Sequence, residues 1–237
     1  LRGGLRVGRF LVEDGQRVTL QRSQSARDDL LALAFLSSVI AAVLRQRGKL
    51  LLHANTALTP VGALAISGIS GAGKSTTLTA LLQRGCSMLA DDTTVLQYND
   101  QGQVEVLPGV PQMNLLDDAA EGLNYDIRSF PRHQWQSRKA IVPMHEKMVP
   151  HPVPLSALYL LEKGEVESVQ VQPLQGMEKF SAAQSCIFGP MLPAEHSGLF
   201  PLFTGLLAQV PVVRLTRPNQ HWSVSDITEI LLRTDYR

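Results

Sequence analysis

"ALAISGISGAGKSTTLTALLQRGCSMLADDTTVL", residues 63–96, decides the fold. Within it Gly68-Ile69-Ser70-Gly71-Ala72-Gly73-Lys74-Ser75 matches G-x-x-x-x-G-K-S in full. An apolar run precedes the loop, and leucines at 78, 81 and 82 give helical spacing after it, so the context is strand, glycine loop, helix over 75–84. Such a loop turns successive backbone N–H groups inward around phosphates. The helix N-terminus adds partial positive charge, the lysine reaches the β- and γ-phosphates, and the serine hydroxyl can ligate Mg²⁺. The expected cradle runs over Ser70, Gly71, Ala72, Gly73, Lys74, Ser75 and Thr76. The spacing is not G-x-G-x-x-G, which disfavours a Rossmann dinucleotide site. Gly85 suits a helix C′ position, and "CSMLA" (86–90) then reads as a buried strand that delivers Asp91 and Asp92 at its C-terminal end. Phosphoryl transfer needs a carboxylate near the metal and a group that activates or orients the acceptor, and this pair can supply both. Consecutive strand residues face opposite sides, so the alternative is that one points inward while the other caps a turn.

Upstream, "KLLLHAN" (49–55) and "ALAISG" (63–68) are short apolar runs that read as neighbouring strands joined through "TALTPVG". His53 ends the first run. It either orients or shares a proton with a site carboxylate, or bonds backbone as an ordinary strand-end histidine. Further out, residues 7–12 and 17–21 form a hairpin around Asp14-Gly15, and an apolar helix over 30–44 ends with Arg45, Arg47 and Gly48. Strands are expected at 155–163, 166–174 and 211–217, and helices at 200–208 and 224–232. Prolines, histidines and arginines between Leu107 and Pro154 predict loops and short helices over the site. The expected architecture is α/β, a P-loop kinase core with a mixed sheet at 49–237, and a hairpin and helix at 1–48 packed on it.

The 237 residues suffice for one large core, and 22 basic against 21 acidic side chains create no global field toward nucleic acid or an anionic membrane. The 15-residue apolar run at 30–44 is short for a membrane span. Two cysteines without zinc or disulfide spacing point to a cytoplasmic protein. His133, His145, His151, His196 and His221 lack metal-ligand spacing. Trp135 and Trp222 read as packing residues rather than base-stacking platforms, and Asp117-Asp118 as the cap of a short helix. Arg128 and Arg132 are weaker candidates for holding a carboxylate of the substrate.

"LLHANTAL" followed by the loop, its helix and the aspartate pair resembles the catalytic core of the HPr serine kinase/phosphorylase family. The continuation "LPGVPQMNLLDDAAEGLNYD", "RKAIVP" and "PVPLSALYLLE" is similar to the HPr-kinase-related proteins found with lasso-peptide biosynthesis. That resemblance implies an HPr kinase C-terminal-domain-like fold, with ATP and Mg²⁺ as cofactors. It also implies transfer of the γ-phosphoryl group to a serine, the C-terminal one, of a ribosomally made precursor peptide. Gly71, Gly73, Lys74 and Ser75 would then hold phosphates, and Ser75 with Asp91 the metal. His53, Asp91 and Asp92 would form the catalytic cluster, with Asp92 preferred as base. Lys139, beside Arg138, matches a lysine of the related kinases and would neutralise charge on the moving phosphoryl group; otherwise it is a solvated loop cation. Only about fifty residues precede His53 and no counterpart of the family's later glycine/arginine signature stands in the sequence, which weighs against HPr as acceptor and against phosphorylase activity. A metabolic HPr-type regulator, a kinase of free serine or another small hydroxylated metabolite, and an ATP-gated binding module remain as alternatives, and a homo-oligomer is compatible with the composition.

Overall fold

The computed structural model describes residues 7–133, 136–189 and 196–233, without the side chains of 133, 136–138 and 196–198. Trp135 and the side chains of His133, Arg138 and His196 therefore lie outside the described residues. The chain opens with the expected hairpin, β1 (Gly8–Glu13) and β2 (Arg17–Arg22), paired from Gly8↔Arg22 to Glu13↔Arg17. Its tip is tied to the following helical segment, because Gly15 N–H donates to Gln46 Oε1 (2.6 Å) and Arg47 Nε donates to the Gly15 carbonyl (2.6 Å).

The apolar stretch expected as one helix is α1 (Asp28–Ala34), a π-helical turn at Phe35–Val39, and α2 (Ile40–Gln46). Within the π turn the Ser37 hydroxyl donates to the Leu33 carbonyl (2.7 Å), a local bond that competes with the regular ladder. Gly48, at φ 72°, closes the helix as expected.

The strand expected over 49–55 is two strands, β3 (Leu50–Leu52) and β4 (Ala54–Thr59), broken at His53. β4 continues through most of the residues read as a connector, then turns over Pro60-Val61 into β5 (Gly62–Ser67), its antiparallel neighbour. After the glycine loop come α3 (Lys74–Gln83), β6 (Ser87–Ala90), β7 (Thr94–Tyr98) and β8 (Val104–Leu107).

The segment expected as loops contains a three-stranded sheet. β9 (Gln112–Leu116), α4 (Asp117–Gly122), β10 (Arg132–His133) and β11 (Gln136–Pro143) build it in the order β10-β11-β9. Its prolines stand at strand ends, Pro111 just before β9, Pro131 just before β10 and Pro143 at the close of β11, where a missing N–H costs no ladder bond. Asp117 and Asp118 occupy the first turn of α4 and not its cap position, which is Leu116.

β12 (Val153–Gly164), β13 (Gln170–Pro173), α5 (Gly176–Ser185), α6 (His196–Gln209), β14 (Val212–Pro218) and α7 (Val224–Arg233) complete the chain. α5 is not among the helices expected from the sequence, and β13 is shorter than the strand expected over 166–174. The central sheet is mixed and runs β3-β7-β8-β12-β5-β4-β6, with β14 on β12 and β13 on β14. β12 holds it together: Val153 and Pro154 pair antiparallel with β8, whereas later residues pair parallel with β5 and β14.

The helices cover both faces of this sheet, so β5 reads as a continuous apolar run and its successive residues enter different cores. Leu64 and Ile66 pack with Leu78, Leu81, Met113, Tyr159 and Ile227 on the side of α3 and α7. Ala63 and Ala65 pack with Leu158, Ala183, Phe203 and Leu206 on the side of α5 and α6. Among the described residues no helix is long and apolar enough to cross a membrane.

Candidate functional site

The loop between β5 and α3 is shaped by contacts its sequence cannot avoid. A Cβ at Gly68 would lie 2.3 Å from the Leu161 carbonyl oxygen, so only glycine lets the loop leave β5 this close to β12. Ile69, Ser70 and Gly71 are exposed, Ala72 is buried, and Gly73, at φ 117°, caps α3. Arg217, at the end of β14, donates through Nε to the Ala72 carbonyl (2.7 Å) and through Nη1 to the Pro218 carbonyl (3.2 Å). It thereby ties the glycine loop to the end of β14. Burial lowers the Arg217 pKa.

Lys74 is buried, and its ammonium donates to the Gly68 carbonyl (2.6 Å) and lies 3.2 Å from His53 Nε2. Burial pulls its pKa down, whereas the charges of Asp92 and Asp91 support the protonated form. With Lys74 donating to Nε2, the imidazole proton belongs on Nδ1, which stands 3.0 Å from the Asp92 carbonyl and 3.5 Å from Asp92 Oδ1. His53 in this arrangement links the loop lysine to Asp92. Its place at the break between β3 and β4 is held by its own backbone: His53 N–H donates to the Cys186 carbonyl (2.7 Å), and Ser67 Oγ donates to the His53 carbonyl (2.9 Å).

Asp91 and Asp92 lie just past β6, in unlike surroundings. Asp91 Oδ2 accepts the Asn114 N–H (2.8 Å), with Asn114 Nδ2 at 3.4 Å. The residue keeps partial exposure, yet its Oδ1 is sealed from solvent and finds no hydrogen-bond partner among the described residues. Burial pushes the Asp91 carboxyl up to about 6, and the Asp92 charge adds to that rise against the Asn114 N–H. Asp92 sits in the left-handed region at φ 66°, with its side chain 59% exposed. Both carboxylates act electrostatically on Lys74, and Lys139 on β11 acts on Lys74 and Asp91.

The fold thus brings His53, Lys74, Asp91, Asp92 and Lys139 into one charged cluster beside Ser75. Three members were missed in the sequence. Asn55, 1% exposed on β4, accepts the Asp92 N–H at Oδ1 (3.0 Å) and donates from Nδ2 toward Ser75 Oγ (3.4 Å), joining the aspartate turn to α3. Asn114 and Arg217 are the others. Asn55 could have been found as a lone amide in an apolar strand two residues after His53; the other two carried no local signal.

The weaker sequence candidates are held elsewhere. Arg128 pairs with Asp126 (2.8 Å), whose pKa its hydrogen bond lowers to about 2, and Arg132 pairs with Asp117 (2.7 Å). Trp222, expected in packing, sets one edge of its indole against Gly122 on α4 and remains 54% exposed.

Among the described residues no three His, Cys, Asp or Glu side chains gather as a metal site. A magnesium ion bound with phosphates and water needs fewer protein ligands, one or two carboxylates being usual. The unpartnered Asp91 Oδ1 and the Ser75 hydroxyl fit that requirement.

No family model matches the chain, and no curated protein matches it. Among solved structures it is similar to the Hpr(Ser) kinase/phosphatase from Coxiella burnetii, with 13% identity, a TM-score of 0.38, and 77% of this chain and 91% of that chain covered. At that identity and overlap the likeness assigns no chemistry to this chain.

Proposed function

We propose that the protein is an ATP- and Mg²⁺-dependent phosphotransferase that moves a γ-phosphoryl group to a serine hydroxyl. One observation carries this reading: two adjacent carboxylates, one sealed and unpartnered at Oδ1, the other open to solvent, both within electrostatic reach of the glycine-loop lysine. Such a division separates a cation ligand from a group that meets the acceptor.

The backbone N–H groups of residues 70–76 would hold the triphosphate, with the Ala72 N–H leaving the Ile69 carbonyl (3.1 Å) and Lys74 leaving the Gly68 carbonyl for phosphate oxygens. A magnesium ion held by Ser75 and Asp91 would neutralise charge across the phosphates. Asp92 accepts the acceptor's hydroxyl proton as that oxygen bonds to the γ-phosphorus and the bond to the β,γ-bridging oxygen breaks, leaving ADP. His53, 3.0 Å from the Asp92 carbonyl and 3.5 Å from its Oδ1, would keep Asp92 in place, and Lys139 would add positive charge. Because Lys74 occupies His53 Nε2, the histidine is better placed to orient than to act as base.

For the acceptor, we propose a serine of a ribosomally made precursor peptide of the lasso type. The sequence resemblance motivates this choice, and the exposure of Asp92 supports it, since an open carboxylate admits a chain where an enclosed one would select a small metabolite. Intact-mass analysis after incubation with Mg-ATP tests both levels. The panel comprises a lasso-type precursor ending in serine, its serine-to-alanine form, HPr, and free serine. Addition of a phosphate to the serine-ending peptide alone is expected. Phosphate on HPr or free serine would retain the chemistry and overturn the acceptor; intact ATP with every acceptor would favour an ATP-gated module.

A further inference from the structure

Arg217 reaches the glycine loop from the end of β14 with no acidic group to balance it. Among the described residues it forms no ion pair: Glu162 on β12 pairs with Arg214 (3.4 Å), and the residue opposite Arg217 in the parallel β12–β14 register is another cation, Lys163. The half-buried guanidinium rests on backbone carbonyls alone. These are Ala72 (2.7 Å from Nε), Pro218 (3.2 Å from Nη1) and, at the limit of a hydrogen bond, Gly71 (3.5 Å from Nη2). Taking a charge out of water without a counter-charge is costly. A neutral donor would tie the same carbonyls at lower cost, so the retained charge points to an anion close by in the working protein.

The peptide that Arg217 holds says where that anion sits. Among the described residues no peptide bond is cis, and in a trans peptide the carbonyl of one residue and the N–H of the next point opposite ways in one plane. The Ala72 carbonyl faces Arg217, so the Gly73 N–H faces away from it. That N–H donates to no acceptor among the described residues, and it immediately precedes Lys74 in the stretch whose N–H groups would hold phosphate. A cation on the carbonyl side polarises the shared peptide and makes its N–H a stronger donor.

We propose that Arg217 is a positioning residue of the phosphate site: it aims and polarises the Ala72–Gly73 peptide so that the Gly73 N–H meets a phosphate oxygen, and its charge offsets that anion across the peptide. This rests on the phosphate-binding reading of the loop. It gives a role to an arginine 145 positions from the carbonyl it holds. Backbone N–H groups of such a loop cradle the α- and β-phosphates, whereas its lysine reaches the β- and γ-phosphates. Arg217 therefore acts on the part of the ligand that ATP and ADP share, and its loss should weaken both by the same factor.

The native chain, Arg217→Lys and Arg217→Gln test it, because lysine keeps the charge and glutamine keeps only a neutral donor. Calorimetry with Mg-ATP and with Mg-ADP should show Arg217→Gln weakened roughly ten- to thirtyfold for both, and Arg217→Lys within about fivefold of native. A second readout needs no nucleotide. In the free proteins, with folding confirmed by thermal melting, the NMR signal of the Gly73 amide proton should move upfield in Arg217→Gln and stay near its native position in Arg217→Lys, a charge dependence that a merely structural tie would not produce. Native affinity in Arg217→Gln, equal losses in the two variants, or a Gly73 amide unmoved by Arg217→Gln would each overturn the proposal. If the amide moves as expected while the folded native chain binds neither nucleotide, the phosphate reading is overturned and the coupling between Arg217 and Gly73 stands.

Discussion

The two ends of the β4–β5 pair are built on different terms. At the turn end Thr59 faces Gly62, and its hydroxyl donates to the Gly62 carbonyl (2.9 Å) and accepts the Val61 N–H (3.3 Å). Every one of those partners lies within three residues. At the loop end the bonds span the chain: Ser67 to His53 (14 residues), Asn55 to Asp92 (37) and His53 to Asp92 (39). The turn end is local and satisfied. The loop end is assembled from distant residues, holds two consecutive carboxylates, and leaves Asp91 Oδ1 unpaired. A buried carboxylate oxygen without a partner costs stability, and Asp91 Oδ1 beside the loop end is such an oxygen, whereas among the described residues the turn end carries none.

Substitutions at the two ends should therefore separate function from stability. The largest effect belongs to Asp92→Asn, which should lower phosphoryl transfer roughly 10²–10⁴-fold while leaving ATP affinity nearly unchanged. Single-turnover rates beside calorimetric titration give both numbers, and near-normal transfer would remove Asp92 as the base. Asn55→Ala comes next. It leaves the Asp92 N–H without its buried partner and frees the aspartate turn from Ser75, so turnover should drop roughly tenfold to a hundredfold, with a stability loss of about 1–3 kcal/mol in denaturant titration. Loss of stability alone would make Asn55 a purely structural amide.

Asp91→Asn should act in opposite directions on the two properties. In the metal-free chain the folded carboxyl titrates near 6, above the ordinary value of 3.8, so folding takes up a proton between about pH 4 and 6. Stability then falls as pH rises through that window and stays lower at neutral pH. The amide removes the penalty, and Asp91→Asn should be more stable at pH 7 by on the order of 2–3 kcal/mol, with the fall between pH 4 and 6 flattened and transfer lowered by roughly tenfold. A variant less stable than the native chain at pH 7 would contradict the buried-charge account. Smallest of all, Thr59→Val at the turn end should cost about 1 kcal/mol and leave kcat and KM unchanged; an effect on turnover would break the contrast between the two ends.

What could be read in the sequence follows the same division. The loop, β5, α3 and β6 were legible because they are contiguous apolar runs punctuated by Gly68, Gly73 and Gly85, and the charged side chains they deliver sit at their ends. The three-stranded sheet was hidden by prolines read as loop breakers, and with it the route by which Asn114 and Lys139 reach Asp91. Lys139 was anticipated from resemblance, but the strand that carries it, paired with Leu116 on β9, was not. The break at His53 was equally unreadable, since "KLLLHAN" has no residue that forbids a continuous strand; Cys186, 133 positions away, sets it by accepting the His53 N–H. Arg217 is a cation at a strand end until β14 pairs with β12 and places it on the loop.

A nucleoside triphosphate at the loop end of β4–β5 is the premise on which the proposed phosphoryl transfer depends. Calorimetric titration of Mg-ATP into the native chain and into Lys74→Ala tests it most directly. Saturable one-site binding by the native chain is expected, weakened at least a hundredfold in a folded Lys74→Ala. No binding by the folded native chain, or equal affinity in the two proteins, would contradict it.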